Sequence, residues 1–413
     1  MRLEARFFLA AILLLGITVG TGAQAQATVV VNWSAVPVQG MTPRGLLSVG
    51  GITCTSTTAC VAAGYLQVPN PKDDSYPPTQ PAELYRPLLW HWDGHEWLYQ
   101  TTANPGSVGL VGTACLSGTQ CWAVGAQSVG KLGNQFAGVI DSYNGKAWRQ
   151  SPLPDATGAA FNAISCPSTD DCLAVGARQT SLTQAHVLVE HWDGKTWAAS
   201  SSASPKGAMW STLDSVSCFS PTSCVALGDA QDSAKATGYF FGERFNGTSW
   251  SLFTVPNPQK FNMGNESGLF GLSCPSTTSC LAVGTALDYT AGQMGADFPG
   301  GVAETWDGST WAAIRALPQS GQGASYLPNG DSCPAVGHCW VALGVPSILG
   351  PLSRDAAVAQ WDGSSFVVSS SPTKGFFSDI GCLKQDAGNW CMALGETPTG
   401  GRGGVAMLGY KIT

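Results

Sequence analysis

The clearest hydrophobic patterning in this chain runs from Phe161 to Trp197 and breaks into four short pieces. Phe161-Asn-Ala-Ile-Ser-Cys166 is half apolar, and Cys172-Leu-Ala-Val-Gly176 is almost wholly so. After a variable stretch, Val187-Leu-Val-Glu-His-Trp192 is followed by Asp-Gly-Lys-Thr and then Trp197. Short apolar runs bounded by Pro, Ser, Asp and Gly predict strands rather than helix. Asp193-Gly194 between the third and fourth pieces predicts a tight two-residue hairpin of type I′. Equivalent turns fall at Asp93-Gly94, Asn144-Gly145, Asn246-Gly247, Asp307-Gly308 and Asp362-Gly363.

This unit recurs along the chain, marked by paired cysteines: Cys54 and Cys60, Cys115 and Cys121, Cys166 and Cys172, Cys218 and Cys224, Cys274 and Cys280, Cys333 and Cys339, Cys382 and Cys391. A four-stranded unit repeated at this spacing is the mark of a β-propeller blade. The last copy stops after a third strand at Val405-Ala-Met-Leu. Val29-Val-Val-Asn-Trp33 matches its missing fourth strand. The expectation is an all-β, seven-bladed β-propeller of four-stranded blades, forming one domain over residues 26–413. Residues 28–37 complete the last blade and close the ring, which leaves no open sheet edge.

Arg2 and Arg6 precede the apolar run Phe7 to Leu15, and Ala23-Gln24-Ala25 supplies small residues at cleavage-site spacing. Residues 1–25 therefore read as a signal peptide, and the chain as secreted, extracellular or periplasmic. Zinc sites use shorter Cys spacing and converging pairs. In an exported chain, Cys-x5-Cys across a hairpin is better read as one disulfide per blade, with no metal.

Only 11% of residues are charged, but 44% are hydrophobic and aromatics are plentiful, which excludes disorder. No apolar run after residue 25 approaches the roughly 18 residues of a transmembrane segment. A net charge of −7 without a basic cluster argues against nucleic acid. No cofactor motif is present: the glycines around Arg402 lack the following helix of a phosphate cradle. A monomer is expected.

The pattern Cys-Pro-Ser-x-x-x-Cys-x-Ala-Val-Gly followed by Trp-Asp-Gly-x-x-Trp resembles a repeat of secreted actinobacterial-type proteins. It is carried most fully at Cys166–Gly176, Cys274–Gly284, Trp192–Trp197 and Trp306–Trp311. The resemblance implies a propeller and assigns no activity. A looser similarity to the Asp-box repeats of sialidase-like propellers breaks down because Asp and Gly are adjacent here, so no sialidase catalytic residue is carried over.

Most tryptophans recur in fixed slots and are expected to pack between blades. Asp141, Glu190, Glu243 and Glu304 recur in one slot, as a structural hydrogen-bonding device would. Trp210 alone falls in an expected connection between blades, on the face of irregular loops where sites tend to sit. Inner-strand residues four before the first Cys should ring the mouth. Asn162, Asp214, Asn329 and Ser378 occupy that slot, with Asp379 beside it. The candidate ligand-binding set is Asn162, Arg178, Trp210, Asp214, Asp229, Asp379, Glu396 and Arg402. The expected function is binding of an extracellular polysaccharide or protein. The alternative is a polysaccharide hydrolase or lyase, with Asp214 and Asp229, or His186 and Arg178, as its chemistry.

Overall fold

A computed structural model describes residues 31–38, 46–69, 83–102, 106–129, 135–181, 183–232, 238–256, 267–286, 301–314, 326–344, 355–385, 388–398 and 405–412. The expected signal peptide, residues 70–82 with Pro71, Pro77, Pro78 and Pro81, and Arg402 lie outside them. The described strands form five four-stranded sheets and one eight-stranded sheet, each antiparallel pair joining strands consecutive in sequence except where the N-terminus enters. The first sheet is typical: Leu46–Ser56, Ala59–Pro69, Glu83–Trp92 and Trp97–Gln100 lie side by side in that order. The eight-stranded sheet consists of two such halves joined by a single parallel bridge, Ala185 to Trp210.

The first strand of each unit packs against the first strand of the next. The series runs Leu46–Ser56, Val108–Ser117, Ala159–Ser168, Ala208–Ser220, Gly268–Ser276, Leu327–Ala335 and Phe376–Gln385, and the last returns to the first. The protein is thus an all-β propeller with four-stranded blades. The N-terminal strand Trp33–Ala35 pairs antiparallel with Val405–Ile412, and Trp33 stacks on Phe377 at 5.8 Å. Just beyond it, the Trp97 N–H donates to the Pro37 carbonyl at 2.9 Å, so this short segment touches the last and the first blades. No helix among the described residues is long and apolar enough to cross a membrane.

The core is divided into clusters between neighbouring blades, not gathered in one centre. One joins Ala174 and Leu188 to Ile140 and Phe161; another joins Trp90 and Leu88 to Trp390 and Met392. The tryptophans after the Asp-Gly turns are buried as expected: Trp97, Trp148, Trp197, Trp250 and Trp311. Those before the turns also anchor the Cys loops. The indole N–H groups of Trp92, Trp192 and Trp306 donate to the carbonyls of Thr57, Thr169 and Thr277 at 3.0–3.2 Å.

All seven expected cysteine pairs are disulfides, with Cα atoms 4.0–4.1 Å apart across a hairpin. The bridges join Cys54 to Cys60, Cys115 to Cys121, Cys166 to Cys172, Cys218 to Cys224, Cys274 to Cys280, Cys333 to Cys339 and Cys382 to Cys391. Each closes a short loop and so stabilises by roughly 2 kcal/mol in the chain-entropy account.

The spacing identified these residues as bridge halves, and the structure adds that the second of each pair is a core residue. Cys60, Cys121, Cys172, Cys224, Cys280, Cys339 and Cys391 are all buried, each within a different apolar cluster. The reason is position: each lies at the start of the second strand, where neighbouring blades already press together. Their first partners, except Cys333, are only partly buried. The second cysteines are thus packing residues as well as bridge halves. The serine before the first Cys has its own duty. Ser165, Ser217, Ser273 and Ser332 each accept the backbone N–H of the first Cys in the next blade, at 2.9–3.1 Å.

The glycine of Ala-Val-Gly is required by close approach. A Cβ on Gly64, Gly125, Gly176, Gly228, Gly284 or Gly395 would run into a carbonyl oxygen of the paired inner strand. The Asp-Gly turns differ from expectation. Trp92 pairs with Trp97 and Trp192 with Trp197, so the connection has four residues, not two. The cause is the acidic side chain: Asp93 Oδ1 accepts the N–H groups of His95 and Glu96 at 2.8 and 2.9 Å, and Asp193, Asp307 and Asp362 do the same. Those bonds hold the carboxyls of these exposed residues below the usual range.

Two substitutions test this packing by denaturant unfolding. Gly176→Ala should cost about 1–3 kcal/mol through overpacking against the Ala160 carbonyl. Ser165→Ala should cost about 1–2 kcal/mol by orphaning the Cys218 N–H. Unchanged stability in both would contradict these packing assignments, Gly176 within its blade and Ser165 between blades.

Candidate functional site

In every described innermost strand the ladder slips near the middle. The register shifts between Val49 and Gly51, Leu110 and Gly112, Phe161 and Ala163, Leu213 and Ser215, Gly268 and Gly271, Pro328 and Gly330, and Phe377 and Asp379. A bulge leaves one residue unpaired and re-aims its side chain. In six strands that residue stands four before the first Cys: Gly50, Val111, Asn162, Asp214, Asn329 and Ser378. The bulges surround an axial cavity of about 750 Å³. Its lining ends two residues short of the first Cys at Ile164, Val216, Leu272 and Asp331, so it sits at the end of the axis remote from the disulfides.

Several polar lining groups are committed to neighbouring blades. Asn162 Nδ2 donates to Thr212 Oγ1 and to the Leu213 carbonyl, both at 2.9 Å. Asn329 Nδ2 donates to the Phe377 carbonyl at 2.7 Å, and Ser215 Oγ to the Leu269 carbonyl at 2.7 Å. Asp379 accepts the Ile52 N–H at 2.9 Å and its neighbour Ile380 N–H at 2.8 Å, linking the last blade to the first. These four are structural clasps facing the cavity.

Three acids are satisfied only in part: Asp214 accepts the Leu269 N–H from the next blade and shares a proton with Asp229, yet one oxygen of each acid is left over. No hydrogen-bond donor reaches Asp214 Oδ2, Asp229 Oδ2 or Asp331 Oδ1 among the described residues, and all three atoms are buried. Asp214 and Asp229 stand against each other. Burial first, and then the facing Asp229 charge, push the Asp214 carboxyl well above the carboxylate range. Burial raises Asp229 to about 7, opposed by the proton that Asp214 shares with it. Asp331 is raised by burial and then by the charge of Asp379, which burial itself lifts to about 7 against its two N–H bonds.

Trp210 and Phe270 form aromatic walls beside these acids, Phe270 being 40% exposed. Trp210 lies inside strand Ala208–Ser220, opposite Gln231, and not in a connection as its sequence context implied. Arg178 does not join Asp214 and Asp229. Its guanidinium is 2.9 Å from Asp155 Oδ2, donates to the Thr157 carbonyl, and lies 3.7 Å from Glu190. His186 pairs with Arg178 across two strands and is exposed, away from the cavity. Glu396 is buried, accepts the Val49 N–H at 3.2 Å, and does not line the cavity.

Asp331 was not among the sequence candidates. Its signal was available: the residue two before the first Cys is Ile52, Thr113, Ile164, Val216, Leu272 or Ile380 elsewhere, so an acid there breaks the repeat. The repeated acids on third strands are indeed structural where their partners are described. Asp141 accepts Thr102 Oγ1 at 2.7 Å, and Glu243 accepts the Ala203 N–H at 2.9 Å, each receiving the connection from the preceding blade. No group of three or more His, Cys, Asp or Glu is arranged to hold a metal among the described residues.

Fold and cavity together define a propeller with an acid- and aromatic-lined axial chamber. No protein-family model matches the sequence, and no curated protein is significantly similar to it. Solved structures match by fold. A GH74 xyloglucanase from Xanthomonas campestris aligns with TM-score 0.52 and 11% identity, over 91% of this chain, which spans 55% of that enzyme. An α-L-arabinofuranosidase from Fusarium graminearum, in complex with an iminosugar inhibitor, gives 0.47 and 12% over 73% of this chain and 91% of its own. YCF48 bound to D1 peptide gives 0.46 and 12%, over 92% and 96%. At these identities the likeness is one of fold.

The buried acids make stability depend on pH. Asp229 and Asp379 titrate near 7 when folded, against 3.8 for an ordinary Asp, so the native state keeps protons that the unfolded chain releases. Stability should therefore fall as pH rises from about 4 through about 7, and keep falling above as the more strongly raised acids such as Glu304, lifted by burial to about 8, titrate. Asp229→Asn should raise the melting temperature at about pH 8 and flatten that slope. An increase of stability across the window, or no effect of the substitution, would contradict the assignment.

Proposed function

We propose that this chain is a secreted, seven-bladed propeller that binds an extracellular glycan in its axial cavity. The seven-blade count is supported by taking the two halves of the eight-stranded sheet as separate blades, each with its own disulfide. Secretion is supported by the apolar N-terminal run and by the pairing of all 14 cysteines, a pattern of oxidising compartments.

The observation that carries the ligand class is the pairing of Trp210 and Phe270 with carboxyl groups in a chamber of about 750 Å³. Ligand pockets fall at about 300–1,000 Å³, with apolar walls and a few placed polar groups. A sugar ring offers an apolar face to an aromatic side chain and hydroxyl donors to carboxyl oxygens. The lyase alternative weakens, because none of the described lining residues is Lys, Arg or His to neutralise a substrate carboxylate. The hydrolase alternative keeps one supporting feature, the raised acids. Asp214 and Asp229 touch each other, whereas a glycosidase couple stands about 5 Å or more apart. Hydrolysis would have to draw one acid from each side of the cavity.

Depletion of the mature protein by insoluble polysaccharides, scored together with new reducing ends, separates the readings. Retention on a polymer without product is expected, weakened about tenfold or more by Trp210→Ala. Product formation abolished by Asp331→Asn would replace binding with hydrolysis. No retention on any glycan would overturn the proposal.

A further inference from the structure

Asp214 is singular in its slot of the repeat, and Asp229 shares its slot with only one other acid, Glu396. The slot of Asp214 holds Gly50, Val111, Asn162, Phe270, Asn329 or Ser378 in other copies. That of Asp229 holds Tyr65, Ala126, Ala177, Thr285, Gly344 or Glu396. Most blades thus form without an acid at either place, so folding does not require Asp214 or Asp229. Burying a carboxyl without donors opposes folding. Asp229 is only 4% exposed, lines the cavity, and has no donor for Oδ2; Asp214 Oδ2 and Asp331 Oδ1 share that condition.

What satisfies such oxygens is a group rich in donors and positive in charge. The described residues supply none at this place. Arg178 is tied to Asp155, and the described lining holds no Lys, Arg or His. A neutral hydroxyl offers one donor and no charge, whereas an ammonium offers three donors and a full charge. A bare metal ion fits poorly, because no three carboxylates or other ligating side chains converge among the described residues. The aromatic walls favour an organic cation, which gains from the faces of Trp210 and Phe270.

Resting on the glycan reading above, we propose that the ligand carries free amino groups, an amino-sugar polymer such as a deacetylated glucosamine chain, with an ammonium seated against Asp214 and Asp229. Asp331, next to Asp379 on other blades, offers a second seat. The raised carboxyls accord with this arrangement: an ammonium at either place would displace the retained protons and hold the acids ionised.

The test is calorimetric titration of the intact mature protein at about pH 6, below the usual range of amino groups. The probes are a glucosamine tetramer, its fully N-acetylated counterpart, and hexalysine. The proposal expects the free-amine tetramer to bind about tenfold or more tightly than the acetylated one. It also expects Asp229→Asn to remove that preference. Should that variant fail to fold, Asp331→Asn tests the second seat, with its fold checked by near-UV circular dichroism. Equal binding of both tetramers would overturn the ammonium and leave the glycan reading standing. Binding of neither would overturn both. Tight binding of hexalysine alone would also overturn both, in favour of a cationic peptide. A free-amine preference unchanged in both Asp variants would overturn the seat.

Discussion

The crowding of strands around the propeller axis governs the rest of this structure. Near the axis, neighbouring blades approach so closely that a Cβ on Gly50 or Gly51 would press on the backbone of Val111 or Gly112, and one on Gly330 on Asp379. Toward the rim the blades splay apart and need volume, which Trp97, Trp148, Trp197, Trp250 and Trp311 supply. The sequence carries this gradient as small residues before and after the Cys pairs and Trp after the Asp-Gly and Asn-Gly turns, with Phe366 in one copy. Because interiors are packed to near-crystalline density, neither end of the gradient tolerates the other's residues. The axial cavity survives where the bulges turn side chains inward and the glycines leave room.

Two kinds of polar group occupy that space, and their partners separate them. Asn162, Ser215, Asn329 and Asp379 reach the backbone of the next blade and act as clasps of the ring. The serines before the Cys pairs repeat the device further along the strands. Asp214, Asp229 and Asp331 have no such bond at one oxygen each. A buried carboxyl oxygen without a donor lowers stability, and the described residues supply none to these three atoms. That imbalance is the physical ground for assigning these three acids to a ligand.

The repeated features were legible from sequence because each answers a local demand met many times. Paired cysteines across a hairpin, Trp in the outer slot and Gly beside the inner carbonyl follow that rule. Burial was not legible from the pairing itself: Cys60 and Cys391 enter the core only because the blades close on the strands they begin. The Asp-Gly turns were legible as turns but not in length, since the carboxylate bonds that extend them to four residues depend on the folded loop. Asp214 is found by its slot, whereas Asp331 stands two residues before Cys333 and escapes a reading based on the slot four before. Arg178 illustrates what spacing along a chain does not reveal. It lies on a strand beside the cavity wall, yet Asp155 and the Thr157 carbonyl draw its side chain elsewhere. Trp210 sits where a connection seemed due, because strand Ala208–Ser220 begins earlier than its equivalents and bridges to Ala185.

A crystal structure of the mature protein soaked with a glucosamine tetramer tests the account most directly. The account predicts sugar density in the axial cavity, a ring against Trp210, and an amino nitrogen within hydrogen-bonding distance of Asp214 or Asp229. Density confined to the blade rims or to the disulfide face, with the axial acids still paired only to each other, would contradict it.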